Sequence, residues 1–379
     1  MQVNQATTLK LAGTTALITA AFAAPAHAAG SVTLYGLVDV GYQYQKFKGQ
    51  DSTSGLTSGG QAASRWGLRG SEDLGNGLQA NFTLENGFDI TRGTASQNGR
   101  LFGRLAWAGL SGGWGELRLG RQTLAATDYT GAFSPFGTSF QLASGGQSIN
   151  SNTTPRADST VKYVSPTMSG LQATLSYSFN ANLAQNSDGG GVAPSSRSDR
   201  VFSAAAHYKA AKWQLIGYYQ GASLGRETSS GGSHADVSPR EYGIGGSVEL
   251  GVFTLHGGFA QHKDAYINGV ASGNTGQTAL FKGGKVNGYT LGVAVPVGTG
   301  TLLASFQLSD PNDSVVRSGQ QAENQKVYSV GYTYPFSKRT NAYAYVSYLD
   351  GAWFDNAGTG VAADDWNATH FAVGLRHLF

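Results

Sequence analysis

The sequence predicts an all-β fold: a closed antiparallel transmembrane β-barrel of about 16 strands, with a constriction loop folded into its lumen. Three observations predict it. Apolar and polar residues alternate with period two in short, regular segments along most of the chain, which puts one set on each face of a strand. Between those segments, tight turns take turns with long polar loops. No stretch of the mature chain approaches the ~20 apolar residues that a membrane helix needs. Composition agrees: among 379 residues there are 55 Gly, 18 Tyr, 18 Phe and 6 Trp, but 9 Pro and no Cys. Disordered chains are poor in aromatics, and without cysteine the fold cannot rely on disulfides. A net charge of +3 is too small to argue for a nucleic-acid partner.

In chain order, residues 1–28 read as a secretory signal peptide. Lys10 is its only charge, Leu11 to Ala24 is an apolar run, and Ala26-His27-Ala28 is a small-x-small cleavage site. Residues 29–379 are then the barrel domain. In Ser31 to Phe47, Val32, Leu34, Val38, Val40, Tyr42 and Tyr44 share one parity, while Thr33, Tyr35, Asp39, Gln43 and Gln45 share the other. The code recurs at Leu78 to Glu85, at Leu171 to Phe179 and at His370 to Phe379. Short connections such as Leu74-Gly75-Asn76-Gly77 and Ser111-Gly112-Gly113 carry the Gly and Asn that tight hairpins need. The long ones include 48–62, 92–99, 181–199, 223–239, 263–285, 309–325 and 351–367. Short turns at one end and long loops at the other are the asymmetry of an outer-membrane barrel. Trp66, Trp107, Trp114, Trp213, Tyr332, Tyr334, Phe336 and Tyr348 fall near strand ends, where interfacial girdles sit.

The longest connection, residues 122–157, has neither a helix period nor a strand alternation. Loops of this length inside a compact domain are usually functional or disordered. It is rich in Gly, Ser, Thr and Asn, and carries Phe133, Pro135, Phe136, Gly137, Phe140 and the acid Asp128. It is the expected constriction.

Parity also sorts the charges. With Trp66 and Leu68 toward lipid, Arg65 and Arg69 point inward. With Leu105 and Trp107 outward, Arg104 and Arg100 point inward. Leu117 and Leu119 outward turn Glu116 and Arg118 in, and Val161 and Tyr163 outward turn Lys162 in. Asp39 shares the polar parity of the first strand. A Lys or Arg on the lipid face at mid-membrane would cost roughly 2–4 kcal/mol, so energetics and parity agree.

Several segments carry a resemblance. They are Ser31-Val32-Thr33-Leu34-Tyr35-Gly36 with Asp39, Ser64-Arg65-Trp66-Gly67 with Arg69-Gly70 and Glu72-Asp73-Leu74-Gly75, and Gly120-Arg121 leading into the long loop. Val161-Lys162-Tyr163 with Ser165-Pro166 and the terminal Phe379 complete the set. Together they resemble the trimeric, sixteen-stranded general porins of β-proteobacteria, over essentially the whole mature chain. That resemblance implies a homotrimer in the outer membrane. It also implies contact with lipid and lipopolysaccharide, and assembly through the C-terminal strand ending in Phe379. Arg65, Arg104 and Lys162 match the basic cluster that lines the constriction opposite the third loop. The frame Ser134-Pro135-Phe136-Gly137 lacks the glutamate that the family often carries there, so the resemblance assigns no acidic wall to it.

Rings of Arg or Lys select for anions in a narrow aqueous pore, so a weakly anion-selective passive channel for small hydrophilic solutes and ions is expected. The same cations serve equally as wall-stabilising partners of Asp39, Glu85 or Glu116. Asp128 either faces the basic wall across the lumen or turns the loop locally. The loop phenylalanines either anchor it or narrow the hole. A substrate-specific channel, a barrel enzyme and a plugged adhesin are the alternatives. Gly109-Leu110-Ser111-Gly112-Gly113 and Gly221-Ala222-Ser223-Leu224-Gly225 spell the nucleophile-elbow pattern, but that motif needs a helix after the turn. No zinc spacing, phosphate loop or dinucleotide fingerprint is present, and no cofactor or metal is expected.

Overall fold

The computed structural model describes residues 30–148, 156–181, 199–223, 238–264, 266–268, 278–280, 283–317, 320–353 and 361–379. The signal-peptide segment, residues 149–155 of the constriction loop and parts of five outer loops lie outside the described residues. Sixteen strands form the barrel: β1 Ser31–Phe47, β2 Arg65–Gly75, β3 Leu78–Asp89, β4 Leu105–Gly112, β5 Gly115–Thr123, β6 Arg156–Val164, β7 Leu171–Ser178 and β8 Arg200–Lys209. They continue with β9 Trp213–Ser223, β10 Arg240–Glu249, β11 Thr254–Lys263, β12 Lys285–Val297, β13 Gly300–Pro311, β14 Gln325–Pro335, β15 Thr340–Asp350 and β16 Asn367–Leu378. Each pairs antiparallel with its sequence neighbour, and β1 closes on β16 from Leu37↔Leu378 to Phe47↔Ala368. Closure leaves no unpaired edge, which hydrocarbon would not tolerate.

The closing seam is also where the chain ends. Gly36 N–H donates to the Phe379 carbonyl at 2.9 Å, and Phe379 N–H donates back to Gly36 at 3.1 Å. A side chain at Gly36 would overlap the Phe379 ring, so the glycine is what lets the last residue lie flat on the seam.

Period two holds around the wall. Val32, Leu34, Leu119, Leu175, Ile244, Leu291 and Val330 face out and are exposed, whereas Thr174, Ser176, Ser178, Ser203 and Ser347 face in and are buried. The turns between β2 and β3, β4 and β5, and β12 and β13 are two residues long. Asn76 and Gly77 supply positive φ in the first of these. Outward aromatics pair near both ends of the strands: Trp114 with Tyr163, Tyr208 with Trp213 and Tyr334 with Phe336 at the short-turn end, and Phe202 with Tyr219 and Phe259 with Tyr289 toward the long loops.

One strand departs from the expected parity. Leu105 and Trp107 pair with Glu85 and Thr83, so they face the lumen, while Ala106, Ala108 and the exposed Leu110 face lipid. The small alanines hid the true lipid face from a hydropathy reading. Trp107 therefore does not belong to the girdle: the Arg118 guanidinium lies 4.5 Å from its ring centroid.

A second departure positions the constriction. Above Leu37, β1 pairs not with β2 but with Thr53–Ser58. Residues 59–64 leave the sheet between that segment and β2. Asp39 holds them: its carboxylate accepts Gln61 N–H at 3.0 Å, Ala62 N–H at 2.7 Å and Tyr343 O–H at 2.6 Å. Asp39 is fully buried, so it braces the wall and does not line the water.

Candidate functional site

The loop after β5 turns into the barrel. It opens with a short helix, α1 Ala125–Tyr129, followed by single turns over Thr130–Phe133, Gln141–Ala143 and Gly145–Gln147. Loop backbone that leaves the sheet must find partners elsewhere, and the inner wall supplies them. Ala125 N–H donates to Ser176 Oγ at 3.2 Å and Ala126 N–H to Ser203 Oγ at 3.0 Å. His256 Nδ1 donates to the Ala132 carbonyl at 3.0 Å, Ser148 Oγ to that of Tyr289 at 3.0 Å, and Phe140 N–H to that of Gln61 at 2.8 Å. The loop thus lies along the inner faces of β7, β8, β11 and β12.

Its aromatics and proline fit a floor of glycines. Phe133 is 1% exposed, packed with Ile216, Tyr218 and Ala260. A Cβ at Gly258 would fall 2.5 Å from its ring, and one at Gly245 2.8 Å. Pro135 sits on Gly292, where a Cβ would meet it at 2.5 Å, and Phe136 on Gly331 at 3.0 Å. Phe136, Phe140, Tyr343 and Tyr345 stack edge to face beyond them. Gly137 turns the chain at φ 61°, and Phe140 holds a left-handed φ of 66°.

The root of the loop is tied by charge. Lys162, 1% exposed, forms an ion pair with Asp128 and donates to the Thr123 carbonyl at 3.1 Å. Asp128 also accepts the Thr123 hydroxyl at 2.6 Å. These two residues do not face each other across water: they touch, on the same side of the lumen.

The basic wall lies on β2, β5 and neighbouring strands. Glu85 accepts Arg104 Nε at 2.6 Å and Tyr35 O–H at 2.9 Å, and sits 3.8 Å from Arg65 Nε. Arg65 keeps 28% side-chain exposure while Glu85 keeps 8%, so solvent meets the cation more than the anion. Arg104 reaches this carboxylate from just before β4, its N–H donating to the Glu85 carbonyl at 3.1 Å. Arg118 pairs with Glu116 and stacks on Trp107, and Arg69 stacks on Tyr35 at 5.4 Å. Arg156 lies in the electrostatic neighbourhood of Arg104, Glu85 and Arg65, and Arg376 is the register partner of Asp39.

Arg100 departs from the inward set. It bonds Asp158 at 2.9 Å, and Asp158 also accepts Arg121 at 2.7 Å. Arg121 is the register partner of the outward-facing Ala106, at a bulge between Gly120 and Gln122. This network braces the rim above β4. By register, the lumen-facing positions of β1–β6 and β16 carry Arg65, Arg69, Arg118, Lys162 and Arg376 against Asp39, Asp73, Glu85 and Glu116, and Arg104 joins Glu85 from just before β4. Neither Arg156 nor Arg376 is among the pore residues expected from the sequence. Arg376 carried a usable signal in its polar parity on β16; Arg156 follows the loop and carried none.

The chain matches the family described as Gram-negative porin over residues 13–352. It belongs to that family. An outer membrane porin protein of Bordetella pertussis is 36% identical to it, over 96% of this chain and 98% of that one. Outer membrane porin protein 32 of Delftia acidovorans is 31% identical over the same shares. Among solved structures, an anion-selective porin from Comamonas acidovorans superposes with a TM-score of 0.69 at 27% identity, covering 92% of this chain and 100% of that one. The protein is thus an outer-membrane porin, a channel of the general diffusion type. Of the two elbow-like serines, Ser111 lies at the end of β4 and is followed by β5, while Ser223 closes β9 and the residues after it lie outside the described ones.

Proposed function

We propose that this porin passes small hydrophilic solutes and ions down their gradients with a lean toward anions, and that it has no enzymatic activity. The observation that carries the lean is which charges of the inner wall meet solvent: Arg65, Arg69 and Arg118 are partly open, whereas Asp39 and Glu85 are buried. The described part of the constriction loop answers with one acid, Asp128, already paired to Lys162. Fixed charge is felt across a narrow eyelet because the Debye length at physiological salt is ~8 Å. The solved relative named as anion-selective supports the same direction. In this reading Arg65, Arg69, Arg104 and Arg118 shape the field. Glu116, Asp128 and Lys162 hold wall and loop in place, and Phe133, Pro135, Phe136 and Gly137 anchor the constriction.

The reading extends to a homotrimer carrying an N-terminal export signal over residues 1–28. It also extends to assembly through the strand ending in Phe379. Liposome swelling tests the transport claim. Neutral sugars should enter in order of size, and a small carboxylate faster than an amine of equal size. Saturation by one solute with exclusion of its size-mates would instead favour a substrate-specific channel.

A further inference from the structure

On the inner wall of β1 to β4, Thr33, Arg69, Thr83 and Trp107 stand in one cross-strand row. Arg69 lies four residues along β2 from Arg65, so this row is about 13 Å nearer the short-turn end than the basic wall at the constriction. The next inward row toward that end is Ser31, Ser71, Asn81 and Gly109. Here the wall is concave. It forms a recess of about 360 Å³ whose lining includes Arg69, Trp107, Ser71, Asn81, Thr83 and Ser111. Asn81 Nδ2 donates to Ser111 Oγ at 2.8 Å, which fixes the amide in place.

The two sides of the recess differ in chemistry. Arg69 is exposed, and among the described residues no carboxylate forms a salt bridge with it. It lies over the Tyr35 ring at 5.4 Å. A guanidinium laid on a ring keeps its N–H edge for a carboxylate, which it can grip with two parallel bonds. The acids of this stretch are engaged: Glu116, which borders the recess, by Arg118, and Asp73 by the Gly75 N–H at 2.9 Å. Trp107 forms the opposite side. Arg118 covers the indole from the β5 side, 4.5 Å from its centroid, and the ring borders the recess from the β3 side. Between Arg69 and Trp107 lie neutral hydroxyl and amide groups. One cation, one flat apolar surface and several neutral hydrogen-bonding groups match a solute with one carboxylate, a face of C–H groups and several hydroxyls. A simple inorganic anion would use neither the ring nor the hydroxyls. An apolar acid would cover polar groups without bonding them, at a cost.

We infer that this recess is a weak binding subsite for monosaccharides that carry one carboxylate, the hexuronic acids among them. The carboxylate takes Arg69, the ring hydroxyls take Ser71, Asn81 and Thr83, and the C–H face lies on Trp107. Four neighbouring strands span roughly 14 Å, which accommodates one pyranose ring between the arginine and the indole. Set in the wall between the constriction and the short-turn mouth, the subsite holds a sugar acid in passage while neutral sugars still pass. The inference rests on the reading of the barrel as a water-filled channel.

The test is isothermal titration calorimetry of the detergent-purified porin with sodium glucuronate, glucose and sodium acetate. The proteins compared are the wild type, R69Q, the double variant N81A/S111A, and a control, K212Q, at the turn between β8 and β9. Losing a hydrogen bond to a charged group weakens binding roughly tenfold to a hundredfold. Glucuronate should therefore bind the wild type at least tenfold more tightly than glucose, and R69Q should lose that advantage. It should also bind at least tenfold more tightly than acetate, which reaches Arg69 but offers no hydroxyls. N81A/S111A keeps every charge and should bind glucuronate about fivefold more weakly, while K212Q matches the wild type. Planar-bilayer conductance of the same samples reports an intact barrel. A wild type that conducts no ions would sink the channel reading. A conducting wild type that binds glucuronate no more tightly than acetate would overturn this inference alone, and that comparison needs no variant to fold. Equal glucuronate affinity in a conducting R69Q and the wild type would overturn it as well.

Discussion

Replacing Glu85 by Gln tests the electrostatic reasoning at one atom. The glutamine oxygen still accepts Arg104 Nε, now at 2.6 Å, while the position that accepts the Tyr35 hydroxyl at 2.9 Å becomes an amide NH2 that donates to the hydroxyl oxygen, and one negative charge is removed from beside Arg65. Packing changes little, and the ladder hydrogen bonds of β3 are untouched. Take an ion passing about 5 Å away in water: one unit charge is worth about 0.8 kcal/mol before screening. A Debye length of ~8 Å reduces this by about half. The effect is opposite for anions and cations, so the permeability ratio should shift roughly fourfold toward anions at physiological salt. At 1 M salt, where the Debye length is ~3 Å, the shift should fall below about twofold. Arg65→Gln should move the ratio by a similar factor in the other direction. Bilayer reversal potentials of both variants against the wild type provide the assay. If both substitutions moved the ratio the same way, or Glu85→Gln lowered the anion preference, the wall would not be acting through its charge.

Further consequences concern the constriction loop. Asp128→Asn leaves the buried Lys162 unpaired, a change that typically costs 3–5 kcal/mol when a buried pair is broken. It should raise open-channel noise and expose the loop to protease, and Lys162→Met added to it should restore quiet conductance. Gly258→Ala places a methyl 2.5 Å from the Phe133 ring and should cost about 1–3 kcal/mol by overpacking, lowering Tm. Adding Phe133→Ala should recover part of that loss, and additive losses would show that the two positions are not in contact. Trp107→Ala removes the surface under Arg118, a contact worth about 0.5–2 kcal/mol. Its conductance should become noisier with little change in ion preference.

Much of this was legible in residue order because a barrel obeys one rule, alternation, over most of its length. Lys162, Arg118 and Arg65 are placed by that rule alone, since large apolar neighbours mark the opposite face. It fails where the apolar neighbours are small, as at Ala106 and Ala108, which let Trp107 pass for a girdle residue. It also fails where strands stop: Arg100 and Arg104 precede β4 and go to different partners, and Arg121 sits at a bulge. Asp39 kept the predicted parity, yet the excursion of residues 59–64 sealed it from the lumen, and no local pattern announces that excursion. The glycines Gly245, Gly258, Gly292 and Gly331 were visible as glycines, but their use as seats for Phe133, Pro135 and Phe136 depends on a loop more than a hundred residues away in sequence.

The most direct measurement is the reversal potential of the wild-type porin in a planar bilayer across a potassium chloride gradient, repeated at mean salt from 0.1 M to 1 M. An excess of cations on the wall predicts chloride over potassium at 0.1 M and a ratio falling toward unity as salt shortens the Debye length from ~10 Å to ~3 Å. A potassium preference, or a chloride preference that does not change with salt, would contradict it.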